Sequence, residues 1–254
     1  MSLGHQLIQF FELVTDFLIL AAETFKACLT RPFYYSLAVE QFYLLIVKSL
    51  PLVLITVAST GAVMALQFGQ GMSRFGGKLY VPTVVALAIV RALSPILTSL
   101  MIAGRVGAGI AAELGSMTVT QQVDAIRALG TDPIRKLVVP RTLVLIFGVP
   151  MLTLLADLAG MAGGLVAALT SLGISPTLYL QKSYDALKVH DIIFSTAKTG
   201  LFGGVIALIA CYNGLRSEGG TAGIGIATTK TVMAASLFIM ISDVFLTKLS
   251  WILK

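Results

Sequence analysis

Five apolar runs, each close to the ~20 residues that a helix needs to cross a hydrocarbon core, constrain this chain more than any other feature. They cover about residues 44–68, 81–103, 137–172, 192–215 and 231–253. Lipid offers backbone N–H and C=O groups no partners, so runs of this kind must pair internally as helices. The third is too long for one straight span, and Pro140 and Pro150 predict a kink or an interfacial entry there. Only 12% of the residues are charged and 57% are hydrophobic. A soluble domain carries roughly a quarter charged residues, so the expected fold class is an all-α polytopic membrane protein.

The ends of the runs set the organisation. Residues 3–29 place Leu3, Leu7, Phe10, Phe11, Val14, Phe17, Leu18 and Phe25 at helical spacing, with Gln6, Glu12, Asp16, Glu23 and Lys26 between them. Too many charges interrupt this stretch for a span, so it is expected to lie flat in the interface as an amphipathic helix, stopped at Arg31–Pro32. No basic region precedes it, so a cleavable signal is not expected. A single domain over 1–254 follows, with the interfacial helix in 1–32 and a bundle over 40–254. Lys26, Arg31, Arg105, Arg127, Arg135, Lys136, Arg141, Arg216 and Lys230 fall on the side of the amino terminus. Arg74, Lys78, Lys182, Lys188, Lys248 and Lys254 fall on the other. This slight bias predicts a cytoplasmic amino terminus and an external segment, partly helical, over 175–191.

Between the second and third runs lies GRVGAGIAAELGSMTVTQQVDAIRALGTDPIRKLVVPR, residues 104–141. A connection between spans needs only a few residues, yet this one offers helical spacing of Val119, Val123, Ile126 and Leu129. Gln121, Gln122, Asp124 and Arg127 surround that stripe. The pattern suits a helix docked to a partner at the membrane surface, whereas an ordinary solvated loop has no need of the apolar face.

Arg91, Lys198 and Asp243 each fall well inside an apolar run. A charge near mid-bilayer costs at least ~2.5–3.5 kcal/mol, so each is expected to face protein or a wet cavity. Asp243 is placed to answer Lys198 or Arg91. Two readings stand side by side: an ionic lock that holds the bundle, and a cavity lining that receives an anionic headgroup. Asp157 in the third run raises the same question.

Several chemistries find no support. GMSRFGGKL around Lys78 lacks both the glycine offset and the hydroxyl residue after lysine that a phosphate loop requires. GRVGAG at 104–109 does not have dinucleotide spacing and is expected to serve close helix approach. His5 and His190 stand without ligands at metal spacing, and Cys28 and Cys211 imply neither a disulfide framework nor a metal site. The net charge of +6 is scattered beside spans, which fits anionic headgroups better than nucleic acid. No catalytic residues, metal or cofactor are assigned, and an enzyme is not expected. Energy for uphill transport has to come from a partner or an ion gradient.

The run from Ala103 to Arg141, together with GTAGIGIATTKTVMAAS from Gly220 to Ser236, resembles the MlaE/YrbE-type permeases of MCE-associated lipid-transporting ABC systems. The resemblance covers nearly the whole chain. It implies a homodimeric permease of a bacterial inner membrane that moves phospholipid, or another hydrophobic molecule, through a cavity between protomers. It implies cytoplasmic ABC ATPase subunits, a periplasmic MCE-domain protein and, in some systems, a STAS-domain subunit. The segment from about Thr118 to Leu129 would be the coupling helix, with Glu113 and Gly115 beginning the turn into it. Its contacts to the ATPase would come from Val119, Val123, Asp124, Ile126 and Leu129. Cavity residues would come from the first, second and fifth spans, with Leu66, Gln67, Arg91 and Asp243 as candidates and Lys198 beside them. One departure stands out: some members carry glutamate directly after the arginine of the second span, and here that residue is Ala92. Without that acid the cavity is more positive.

An importer permease for a small polar solute is the alternative, because the charged segment bears a distant likeness to that group's coupling loop. A gradient-driven secondary transporter would show paired inverted repeats, which five spans and one unmatched helix do not offer. A passive scaffold is the remaining reading.

Overall fold

The computed structural model describes residues 3–29 and 35–252, with side chains over 15–28 and 36–252. The expected stop at Arg31–Pro32, the His5 side chain and Lys254 lie outside what is described. Helix α1 (Leu3–Leu29) precedes α2 (Ser36–Ser73), α3 (Lys78–Val119), α4 (Gln122–Ala128), α5 (Ile134–Leu172), α6 (Pro176–Ala186), α7 (Val189–Leu215) and α8 (Gly220–Ile252). Helices α2, α3, α5, α7 and α8 are long and apolar enough to cross a membrane. The protein is thus an all-α polytopic membrane protein. No strand occurs among the described residues.

Helices α3, α5 and α7 form the centre, with α2 packed along α5 and α8 along α3 and α7. Small residues set the distances. A methyl group on Gly61 of α2 would run into the Gly160 carbonyl oxygen of α5, and one on Gly203 of α7 into that of Leu145. Gly200 and Gly204 rest on Ile146 in the same way. Close backbone approach of this kind is the main source of packing energy where lipid removes the hydrophobic drive between helices. Glycines at 160–164 and 200–204 therefore sit at helix crossings.

Several helices run longer than the apolar runs indicated. At 1.5 Å per residue, the 42 residues of α3 extend about 63 Å, roughly twice a ~30 Å hydrocarbon core. Residues 104–119, read from sequence as connecting segment, instead continue the span. The helix passes its Gly104–Arg105 step through a π turn at Ala103–Gly107. The third run is one continuous helix, α5, with Pro150 inside it and a π turn at Ile134–Val138. Pro140 follows that π turn within the same continuous helix. The first span passes through a short 3₁₀ turn at Val47–Ser49, just before Pro51. Arg105 donates to the Lys48 carbonyl at that turn.

The long ends of α3 and α5 carry α4 between them, and α6 covers the opposite end of the bundle. Helix α1 lies against the α4 end. Its Asp16 pairs with Arg216 at 2.6 Å, and Arg216 stacks over Tyr212 of α7, which Phe17 meets edge-on.

Candidate functional site

Two ion pairs form inside the bundle, and a proline explains why they meet. Arg91 occupies a π turn of α3, Ile89–Leu93, and Pro95 lies four residues beyond it. Proline has no N–H, so the usual helical donor to the Arg91 carbonyl is missing. Lys198 of α7 supplies one, donating to that oxygen at 2.7 Å and to Asp243 of α8 at 2.8 Å. Its side chain is 2% exposed. Of the two partners sequence allowed Asp243, the structure selects Lys198.

Arg91 pairs instead with Asp191, at 2.8 Å. Asp191 stands in the first turn of α7, where it also accepts from the Lys188 N–H at 3.4 Å. The positive end of the helix dipole favours a carboxylate there. Sequence reading missed this residue because it assigned Asp191 to the end of a loop. The signal available was an acid three residues past Lys188 at the start of an apolar run. Arg91 remains 36% exposed, far more than Lys198, and the two line a cleft of about 30 Å³ with Asp191, Ser195, Thr247 and Ser250.

The other cavity candidates are arranged differently. Asp243 is buried behind Lys198. Leu66 is half-buried against the core, and Gln67 turns outward on α2. Neither lines the cleft at Arg91. Outward faces of α2 and α8 stay uncovered along much of their length, including Ile55 and Val63 on α2 and Leu237, Ile241 and Val244 on α8.

At the α4 end, the expected helix from Thr118 to Leu129 is in two pieces. Helix α3 runs to Val119, Gln121 adopts a left-handed conformation with φ of 59°, and α4 begins at Gln122. The run Thr118–Val119–Thr120 explains the break. Its β-branched side chains disfavour helix, and the two threonine hydroxyls return to carbonyls at Leu114 and Ser116. Glu113 and Gly115 consequently lie within α3 rather than at a turn into α4. Glu113 pairs at 2.7 Å with Arg141 of α5, whose side chain is 4% exposed, and Gly115 leaves room for Ser217 beyond the end of α7. The apolar stripe divides as well: Val123 is buried and Ile126 packs on the core, whereas Leu129 is 83% exposed. Asp124 and Arg127 form an exposed pair at 3.5 Å, and Val119 is partly exposed at the end of α3.

Outside the spans, burial raises the Cys28 thiol above its ordinary range and pushes the Tyr179 phenol of α6 up to about 12. No group of His, Cys, Asp and Glu suited to a metal ion occurs among the described residues.

Residues 38–249 match the model of the Permease MlaE family. The chain belongs to that family. A probable ABC transporter permease protein of Rickettsia felis is 40% identical over 98% of this chain and 96% of its own length. Another from Synechocystis is 36% identical over 98% and 94%. The chloroplastic protein TRIGALACTOSYLDIACYLGLYCEROL 1 of Arabidopsis thaliana is 37% identical over 77% of this chain and 56% of its own length. An MlaE-family permease is a membrane subunit of an ABC transporter, and these helices supply its transmembrane part.

Proposed function

We propose that this MlaE-family chain is the permease of an ATP-driven transporter that moves phospholipid between a bacterial inner membrane and a periplasmic MCE-domain protein. Two copies form the cavity, cytoplasmic ABC ATPase subunits drive it, and a STAS-domain subunit completes some assemblies. The observation that carries this reading is the mounting of α4. It sits between the protruding ends of α3 and α5, which Glu113 and Arg141 tie together. A push on α4 therefore reaches two central helices at once, and α3 leads directly to Arg91. In this reading the α4 end is cytoplasmic, and Leu129 with the Asp124–Arg127 pair meets the ATPase.

The lipid assignment rests on the cleft and on one relative. Arg91 presents a half-open guanidinium beside the buried pair, near the uncovered apolar faces of α8. A cation that is partly free beside greasy walls suits a phosphate headgroup with its acyl chains in the apolar part. The Arabidopsis relative is named for a galactolipid, trigalactosyldiacylglycerol. Leu66 and Gln67 on α2 face the same cavity once a second copy closes it.

Mass spectrometry of lipids retained by the purified complex tests the proposal. Phospholipid held in amounts that fall on Arg91→Gln substitution is the expected result. A retained polar solute, with phospholipid at the level of bulk detergent carry-over in both proteins, would point to a small-solute importer instead.

A further inference from the structure

A second pocket opens between α2 and α3, at the end of the bundle that carries α4. Its volume is about 320 Å³, within the ~300–1,000 Å³ of small-molecule sites. Arg105, which lines it, stands 14 residues beyond Arg91, about 21 Å along α3. This pocket and the Arg91 cleft therefore lie toward opposite faces of the membrane. Leu44 of α2 and Ile110 of α3 supply apolar walls. Gly109 keeps the space open, since a methyl group there would meet nothing within 4 Å.

Polar groups of different character stand at its two ends. At one, Arg105 is exposed and gives a single hydrogen bond among the described residues, to the Lys48 carbonyl. No acid among those residues pairs with it, so most of its five N–H donors stay available. Lys48, whose ammonium lies 5.7 Å over the Tyr43 ring, adds positive charge to that end. About two helical turns on, Glu113 lines the other end; one of its oxygens takes Arg141 at 2.7 Å, which leaves the second to accept from a ligand. Gln41 precedes Lys48 by seven residues on α2, which runs opposite to α3, so it belongs to the Glu113 end. It is 8% exposed, lines the pocket, and has no side-chain hydrogen bond among the described residues. A buried amide of this kind calls for a partner, and the pocket is where one would sit.

We propose that this pocket is a headgroup site for a phospholipid that carries a primary ammonium. Arg105 takes the phosphate diester through charge-assisted hydrogen bonds, and Glu113 with the Gln41 amide oxygen accepts from the ammonium. The order of these groups along the pocket is that of the headgroup itself. The phosphate is on the acyl-chain side, where Arg105 stands nearer the middle of the bundle. The ammonium is on the water side, where Glu113 and Gln41 stand nearer α4. The uncovered flank of α2, at Leu52 and Ile55, is there for the acyl chains. A glycerol headgroup offers only neutral hydroxyls to Glu113, so the pocket prefers an ethanolamine lipid. The site stands on the bundle itself; that it loads the transporter rests on the function proposed above.

Native mass spectrometry of the full chain, without ATPase, tests it. Titration in an Arg91→Gln background removes the cleft from the count and keeps the outcome separate from the transport reading. One phosphatidylethanolamine per chain is expected to bind, about tenfold tighter than phosphatidylglycerol. Equal affinity for the two lipids would overturn the ammonium assignment. Gly109→Leu fills the pocket without removing any contact and should abolish that binding; retention of the lipid would overturn the site. Gln41→Leu keeps the side-chain volume and should weaken phosphatidylethanolamine while leaving phosphatidylglycerol unchanged, and an unaltered preference would overturn the role of the amide. Inorganic phosphate at millimolar concentration should not displace the lipid; displacement would make the ligand a free anion and overturn the lipid assignment.

Discussion

Replacing Lys198 with methionine separates the ionic lock from the apolar packing around it. Methionine fills much the same volume, so the change removes a charge and two hydrogen bonds rather than opening a cavity. Asp243 would be left with only the Thr247 hydroxyl, 3.5 Å away, and the Arg91 carbonyl would lose the donor that substitutes for the missing N–H of Pro95. Deleting one member of a buried pair typically costs about 3–5 kcal/mol, because the survivor stays buried and uncompensated. The double variant Lys198→Met with Asp243→Leu removes both charges. It leaves chiefly the orphaned carbonyl, worth about 1–3 kcal/mol. The double variant should accordingly be more stable than Lys198→Met alone, by about 2 kcal/mol, even though it carries an additional substitution. For a chain of this size each kcal/mol corresponds to roughly 2–4 °C in Tm. Thermal unfolding in one detergent, followed by far-UV circular dichroism, would resolve a recovery of that size. If the double variant instead melts at or below the single one, the two side chains do not act as a pair, and the account of the bundle's centre fails.

Three further outcomes follow from other parts of the structure. Gly61→Ala places a methyl group against the Gly160 carbonyl, forcing α2 from α5; a loss of about 1–3 kcal/mol is expected in the same melting assay, and an unchanged Tm would contradict that crossing. Tyr179 is fully buried on α6 with an unpartnered hydroxyl, and burial raises its pKa from 10.0 to about 12. A raised acid pKa favours the protonated native state, so this stability is complete below pH 10 and is lost as pH rises toward about 12. Tyr179→Phe should match or exceed wild-type stability at pH 8 and lose less between pH 10 and 12; equal alkaline losses in both proteins would refute the assignment. Arg91→Gln should lower ATP-dependent lipid movement in reconstituted vesicles while protein level holds, and an unchanged rate would remove Arg91 from the headgroup site.

What the sequence made legible was what depends on local pattern. Apolar length and the ban on unpaired backbone in lipid gave five spans, and amphipathic spacing gave α1. Helix boundaries were obscured where a span continues past the bilayer. Residues 104–119 carry charges such as Arg105 and Glu113, which read as loop but are satisfied by the Lys48 carbonyl and by Arg141. The break at Gln121 follows from threonine hydroxyls competing for carbonyls, a local signal that an apolar stripe four residues apart concealed. Ion pairing across helices was only half legible. Composition put Arg91, Lys198 and Asp243 in the membrane, but choosing partners required the helix rotation that aims Lys198 at the carbonyl freed by Pro95 and leaves Arg91 to Asp191.

In the proposed function, α4 is the point where hydrolysis in a partner becomes movement of α3 and α5. Co-reconstitution of the permease with its ATPase, comparing wild type with Leu129→Glu, tests this directly through ATP-driven lipid movement. Because Leu129 is 83% exposed, the substitution should leave the Tm of the isolated permease unchanged. Loss of both ATPase co-purification and lipid movement is the predicted result. A variant that still binds the ATPase and transports at the wild-type rate would contradict it.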